Sequence, residues 1–249
     1  MPRICLDAGH CSYGADAGAE GNGLKEQEIT LDICKQIKPL LEQSGIGVIM
    51  TRTGDLVPGL SSGYTLNQSL QARVNIANAA NVNLFVSFHV NASGGTGAEV
   101  WALAPGGNAE KCAKTVLPYL VNVGQWANRG VKFANFYVLN YTTMPAILTE
   151  NGFIDNAHDA NKLRDAGFRK ALAIAHAQGI CAYFGVEYKE QLPSKIPTGE
   201  NITSFNGGGY VEYLPDRTII HHDEYVYLCL WSDGKITSHA KGRDAVRVV

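Results

Sequence analysis

Three polar side chains stand at the ends of apolar runs. His10 closes Ile4-Cys5-Leu6-Asp7-Ala8-Gly9, His89 follows Leu84-Phe85-Val86-Ser87-Phe88, and Glu150 follows Ala146-Ile147-Leu148-Thr149. A fourth, Glu26, opens a segment with helical period. Two imidazoles and one carboxylate complete a catalytic zinc shell that leaves a fourth position for water. Zinc lowers the pKa of such a water to about 7. The remaining carboxylate could then move a proton to a leaving amine. Each residue also has a plainer role. A histidine at a strand end is commonly a hydrogen-bonded surface or core residue, and a glutamate in a first helical turn is favoured by the macrodipole. Glu150 is harder to explain that way, because a carboxylate against a buried apolar strand is costly unless paired.

The elements that must position these residues follow from pattern. Strands are expected at 3–7, 47–52, 84–88, 98–103, 136–139 and 146–149. Helices are expected from Glu26 to about Ser44, from Leu70 to about Ala80, over Ala109–Val123, and from Asp165 or Gly167 to Phe184. Residues 11–23 and 56–67 read as loops. This alternation predicts an α/β fold, a sheet flanked by helices. If the strands bearing His10, His89 and Glu150 are parallel, all three lie at the carboxyl edge, where open α/β sheets place ligands.

The character changes near Tyr188. Pro193, Pro197, Gly199 and Gly207-Gly208-Gly209 mark a linker. The expected organisation is a catalytic domain over 1–187, a linker over 188–208, and a small β-rich element over 209–249. There Tyr225 to Trp231 alternates, and Asp233-Gly234 fits a hairpin turn into 236–239. That element could stack on sugar rings through its aromatic face of Tyr225, Tyr227 and Trp231, or contact a second copy as a homo-oligomer.

The 249 residues carry 21 Lys+Arg against 23 Asp+Glu, a net charge of -2 that gives no general attraction to nucleic acid or an anionic membrane. No apolar stretch is long enough for a membrane span. No signal-peptide pattern opens the sequence, so synthesis in the cytoplasm, with any export by another route, is expected. Six cysteines without a CxxC pair read as free thiols. Cys11 alone looks exposed, in a Gly-rich turn, and raises a competing reading as a cysteine nucleophile with His89 as base.

The segments ICLDAGH (4–10), GADAGAEGNGLKEQEITLDI (14–33), VIMTRTGD (48–55), QARVNIAN (71–78), LFVSFHVNAS (84–93), GAEVWAL (97–103) and PAILTENGFIDN (145–156) occur in this order. Together they resemble the zinc-dependent N-acetylmuramoyl-L-alanine amidases of the type 3 family, over about residues 3–186. The resemblance implies that His10, Glu26 and His89 bind one Zn2+ and that Glu150 is the catalytic carboxylate. It implies a single mixed, largely parallel sheet flanked by helices, and hydrolysis of the amide between N-acetylmuramic acid and L-alanine in peptidoglycan, hence action on the cell wall after release. Where the family continues its first histidine with Gly-Gly, this chain has Cys11-Ser12, and Gln27 replaces a frequent lysine. Glu28 could be confused with Glu26, but helical spacing places it about 200° away. Arg73 could hold a substrate carboxylate or brace the sheet. Asn91 could position substrate or satisfy its loop. A non-catalytic, wall-binding or inhibitory relative is the alternative reading.

Overall fold

The computed structural model describes residues 1–189 and, beyond them, the backbone of four short strands. The chain divides into two compact units, Met1–Glu190 and Gln191–Val249.

In the first unit six strands form one sheet: β1 (Arg3–Ala8), β4 (Gly47–Met50), β5 (Leu84–Asn91), β6 (Ala98–Ala102), β7 (Asn128–Phe133) and β8 (Ala146–Phe153). Their order is β4-β1-β5-β8-β6-β7. β4, β1, β5 and β8 run parallel, β6 runs antiparallel to β8, and β7 runs parallel to β6. The α/β sheet is as the alternation predicts, and its mixed, largely parallel order is as the resemblance implies.

Period-two alternation divides the side chains between two layers. Ile4, Leu6, Val86, Phe88 and Ile147 face a core with α1 (Glu26–Gln43), α3 (Gly107–Gly124) and α6 (Ala166–Phe184). Cys5, Phe85, Ala146 and Leu148 face the opposite way, against α2 (Leu66–Ala79) and the short α4 (Tyr137–Asn140). Asp7, Ser87, His89 and Glu150 continue this second face towards the strands' carboxyl ends. One sheet face thus carries core at one end and chemistry at the other.

Four local differences from the sequence expectation have identifiable causes. Residues 136–139, read as a strand, begin α4 instead. A run of four apolar residues has no decisive period, and Val138 and Leu139 satisfy their burial by capping the second core layer. The edge strand β7 was hidden by its polar sequence NRGVKF. The segment read as loop contains a hairpin, β2 (Glu20–Gly21) against β3 (Leu24–Lys25). Its turn places Asn22 and Gly23 at φ 52° and 74°, the left-handed pair that an Asn-Gly hairpin favours. Helix α5 (Ala157–Arg164) was also unassigned; Asn156 caps it by accepting from the backbone amides of His158 and Asp159.

In the second unit β9 (Tyr213–Leu214), β10 (Arg217–His222), β11 (Val226–Trp231) and β12 (Ile236–Ala240) form an antiparallel sheet in the order β12-β11-β10-β9. The β11–β12 pairing is the expected hairpin. Its turn and almost all of the expected linker lie outside the described residues, as do the side chains behind the wall-binding or oligomer reading. Among the described residues no helix is long and apolar enough to cross a membrane.

Candidate metal centre and active site

His10 follows β1, with φ 63° in the left-handed region that a non-glycine residue rarely adopts. Gly9 before it has no room for a side chain: a Cβ would meet the Phe88 carbonyl oxygen at 2.5 Å and the His89 ring at 2.6 Å. His89 lies in β5, and its backbone is in register with Glu150 of β8. Glu26 is the first residue of α1, delivered by the β2–β3 hairpin that precedes it. Its carboxylate accepts from the backbone amides of Ala19 (2.9 Å) and Val90 (3.0 Å). Glu28 is exposed, as its position around the helix requires.

The three side chains converge. His89 Nδ1 lies 3.1 Å from His10 Nε2 and 3.0 Å from Glu26 Oε1, and His10 Nε2 lies 3.2 Å from Glu26 Oε2. Ligands about 2.0–2.1 Å from one tetrahedral ion sit about 3.3 Å apart. The donor set therefore has nearly the spacing that a zinc ion needs, and these three residues form a group able to hold a metal ion.

The outer nitrogens fix which ring atom can bind. Asp16 Oδ1 lies 3.1 Å from His10 Nδ1. A carboxylate can only accept, so the proton sits on Nδ1 and the Nε2 lone pair faces Glu26 and His89. On His89 the order is reversed. Nε2 lies 3.2 Å from Ser87 Oγ, which donates its own proton to Asp7 Oδ2 at 2.6 Å. Ser87 must then accept from Nε2–H, which frees Nδ1. Each imidazole is thus oriented by an outer partner, as metal-binding histidines usually are.

Charge follows geometry. Burial alone would lower the His10 pKa, but the hydrogen bonds to Asp16 and Glu26 and their charges push it up to about 10. Burial alone would raise that of Glu26, but both histidines hold it well below the carboxylate range. A negative pocket of this kind favours a cation, and an incoming dication must displace the His10 proton. Asp16→Asn should therefore weaken zinc binding about 10- to 100-fold, the usual effect of losing such an outer partner. Competition with a chromogenic chelator would measure it, and an unchanged affinity would remove Asp16 from the site.

Glu150 is half-buried, and its Oε2 has no hydrogen-bond partner among the described residues. Burial, then the negative charges of Glu26 and Glu99, push its pKa well up. His10, His89 and Glu150 line one pocket of about 310 Å3, with Leu66, Leu70 and Phe136 among its apolar walls.

The remaining candidates are placed differently. Arg73 is buried beneath the histidines. It donates from Nη1 to Asp7 Oδ1 (2.7 Å) and the Ala8 carbonyl (2.7 Å), and from Nη2 to the His10 carbonyl (2.6 Å) and Asp16 Oδ2 (3.1 Å). Of its two readings, these contacts support the bracing one. Asn91 donates to Glu99 Oε1 at 3.0 Å and accepts from the Ala92 amide at 2.8 Å, which satisfies its loop. Cys11 corrects an expectation. It is fully buried, with Val57 and Tyr64 among its apolar neighbours and its Sγ 3.4 Å from Arg73 Nη2. A thiol sealed from substrate cannot act as the proposed nucleophile. His176 is buried in α6, 2.7 Å from Asn151 Oδ1, and burial lowers its pKa to about 3. His158 is exposed.

The Amidase_3 family, described as N-acetylmuramoyl-L-alanine amidase, matches residues 4–182. The chain belongs to this family. The amidase is 39% identical over 190 residues to the sporulation-specific N-acetylmuramoyl-L-alanine amidase of Bacillus subtilis strain 168, covering 75% of this chain and 70% of that one. It is 34% identical over 224 residues to the endolysin of Bacillus phage SPP1, covering 84% and 78%. Among solved structures, the CwlD amidase of Clostridioides difficile, in complex with the GerS lipoprotein, matches with a TM-score of 0.68 and 30% identity over 74% of this amidase and 99% of that chain.

Asp16, Ser87 and Glu99 carry no signal of a site role in the sequence. Asp16 and Ser87 act through the histidines, and no spacing rule signals that. Glu99 lies in a matching segment, but its register with Glu150 exists only in the folded sheet.

Proposed function

We propose that this amidase hydrolyses the bond between N-acetylmuramic acid and L-alanine in cell-wall peptidoglycan, with His10, Glu26 and His89 holding one zinc ion and Glu150 handling the proton. The observation that carries this reading is the convergence of His10 Nε2, His89 Nδ1 and a Glu26 oxygen, with an unpartnered Glu150 oxygen in the pocket that both histidines line. The bound ion would supply Lewis-acid polarisation of the scissile carbonyl and a reactive water at neutral pH.

The chain's own residues supply the rest. Asp16 and Ser87 keep the imidazoles oriented, so little reorganisation accompanies the reaction. The Glu150 group, as carboxylate, takes a proton from the attacking water and then, as carboxylic acid, returns it to the departing L-alanine nitrogen. Its raised pKa suits both directions of transfer. The apolar wall of Leu66, Leu70 and Phe136 limits competing water. A non-catalytic relative would be expected to lack a ligand or the base, and here each position is filled.

The test is digestion of purified peptidoglycan with zinc-loaded protein. New L-alanine amino termini should appear without new reducing sugars. Phenanthroline should abolish the release, and zinc should restore it. Reducing ends instead would indicate glycosidic cleavage and overturn the proposal.

A further inference from the structure

Beside Glu150 lies a cationic group that the hydrolytic chemistry leaves unused. Glu99 of β6 is in register with Glu150 of β8, which is in register with His89 of β5. Directly paired residues point to the same sheet face, so the three form one row. Glu99 is 2% exposed and completely satisfied. Its Oε1 accepts from Asn91 (3.0 Å) and Trp101 Nε1 (3.0 Å), and its Oε2 from Arg129 Nε (2.7 Å) and Lys132 Nζ (2.6 Å). Two cations therefore meet one carboxylate, and a positive charge remains.

Both cations keep donors free at the surface. Their side chains are 34% and 32% exposed. Arg129 uses Nε on Glu99, and among the described residues nothing accepts from its two terminal nitrogens. Its guanidinium is fixed over the Phe153 ring at 4.8 Å. Lys132 lies 5.2 Å from the ring centre of Trp101, which packs against Phe136 of the pocket wall. The strand carrying them is specialised at this point. The β6–β7 register shifts between Ala98 and Val100, and Gly130 takes φ 85°. Such bulges redirect a side chain, here Arg129 towards the row.

We propose that Arg129 and Lys132 receive a carboxylate on the peptide portion of the substrate, and so make this amidase discriminate between acidic and amidated stem peptides. The inference rests on the amidase reading. In a muramyl peptide the lactyl carboxyl is consumed in the scissile amide, so free carboxylates belong to the peptide side. Adjacent strands lie about 4.8 Å apart, so Glu99 lies about 10 Å from His89 and the strand carrying its two cations about 14 Å, with their charged ends reaching back to Glu99. One or two extended residues at about 3.5 Å each, plus a side chain, span that distance. The free guanidinium fork matches carboxylate geometry.

The experiment compares two synthetic muramyl peptides differing only in a free carboxylate or a carboxamide on the residue after L-alanine. The zinc-loaded wild type should favour the carboxylate about tenfold in kcat/KM, the ratio expected when one charged hydrogen bond replaces a neutral one. The double variant Arg129→Gln/Lys132→Gln should bring that ratio close to one. Should it fail to fold, Lys132→Gln alone, which leaves Arg129 on Glu99, should lower the ratio. Calorimetry with zinc-free protein provides a second readout. The released acidic peptide should bind more tightly than its amide to the wild type, and equally to the variant. A wild-type ratio near one, or an equal loss on both substrates, would overturn the proposal. Failure of the wild type to cleave either substrate would instead sink the amidase reading, while the calorimetry would still decide this one.

Discussion

Glu150→Gln should bind one zinc per chain with wild-type affinity and lose about 10³-fold in kcat, within the range ordinary for a general acid–base group. The substitution is nearly isosteric. It removes the titrating proton and leaves the sheet register with His89 and Glu99 untouched. It also relieves the burial of an ionisable group and, after that, the repulsion from Glu26 and Glu99, which together push the native carboxyl's pKa up. Thermal stability should therefore hold or rise while turnover collapses. Metal analysis beside single-turnover kinetics checks both halves. Zinc lost together with activity would move Glu150 into the ligand set and leave the proton-transfer role vacant.

The second large effect is on stability. Arg73→Leu should destabilise the catalytic unit by about 3–5 kcal/mol, the cost of stranding buried charge when one partner of an ion pair is removed. Arg73 is 2% exposed, and its guanidinium is shared between Asp7 and Asp16. Those two carboxylates orient the two histidines, Asp16 directly and Asp7 through Ser87. Loss of Arg73 should lower the melting temperature by about 10 °C, from the usual entropy of unfolding for a unit of this size. Zinc affinity should fall with it. Arg73→Lys should rescue only part, since an ammonium lacks the fork that reaches both acids. A raised KM with unchanged melting temperature would show instead that Arg73 serves substrate.

How far the sequence discloses this site depends on how each residue is placed. His10, His89 and Glu150 are visible because a polar residue ending an apolar run is locally anomalous, and parallel strands gather such anomalies at one edge. Glu26 is less visible. It owes its position to a six-residue hairpin whose Asn22-Gly23 turn sits inside a stretch that reads as loop. Asp16, Ser87 and Glu99 are ordinary polar residues until distant strands pair. Cys11 misled because a Gly-rich neighbourhood suggests exposure, whereas Tyr64 and Val57 come from far along the chain to cover it. The short helix at 137–140 misled for the opposite reason: four apolar residues fit either element, and only the crowded sheet beside them decides.

The three side chains of the proposed metal site come from just past one strand, the start of a helix and within another strand, up to 79 residues apart. An unfolded chain would almost never bring them together by chance, so an ion with this coordination selects the native ensemble over the denatured one. At a free zinc level 1,000 times the dissociation constant, mass action adds about 4 kcal/mol to the resistance to unfolding. Trace-element supply would then govern how much intact enzyme survives, as well as how fast each molecule turns over.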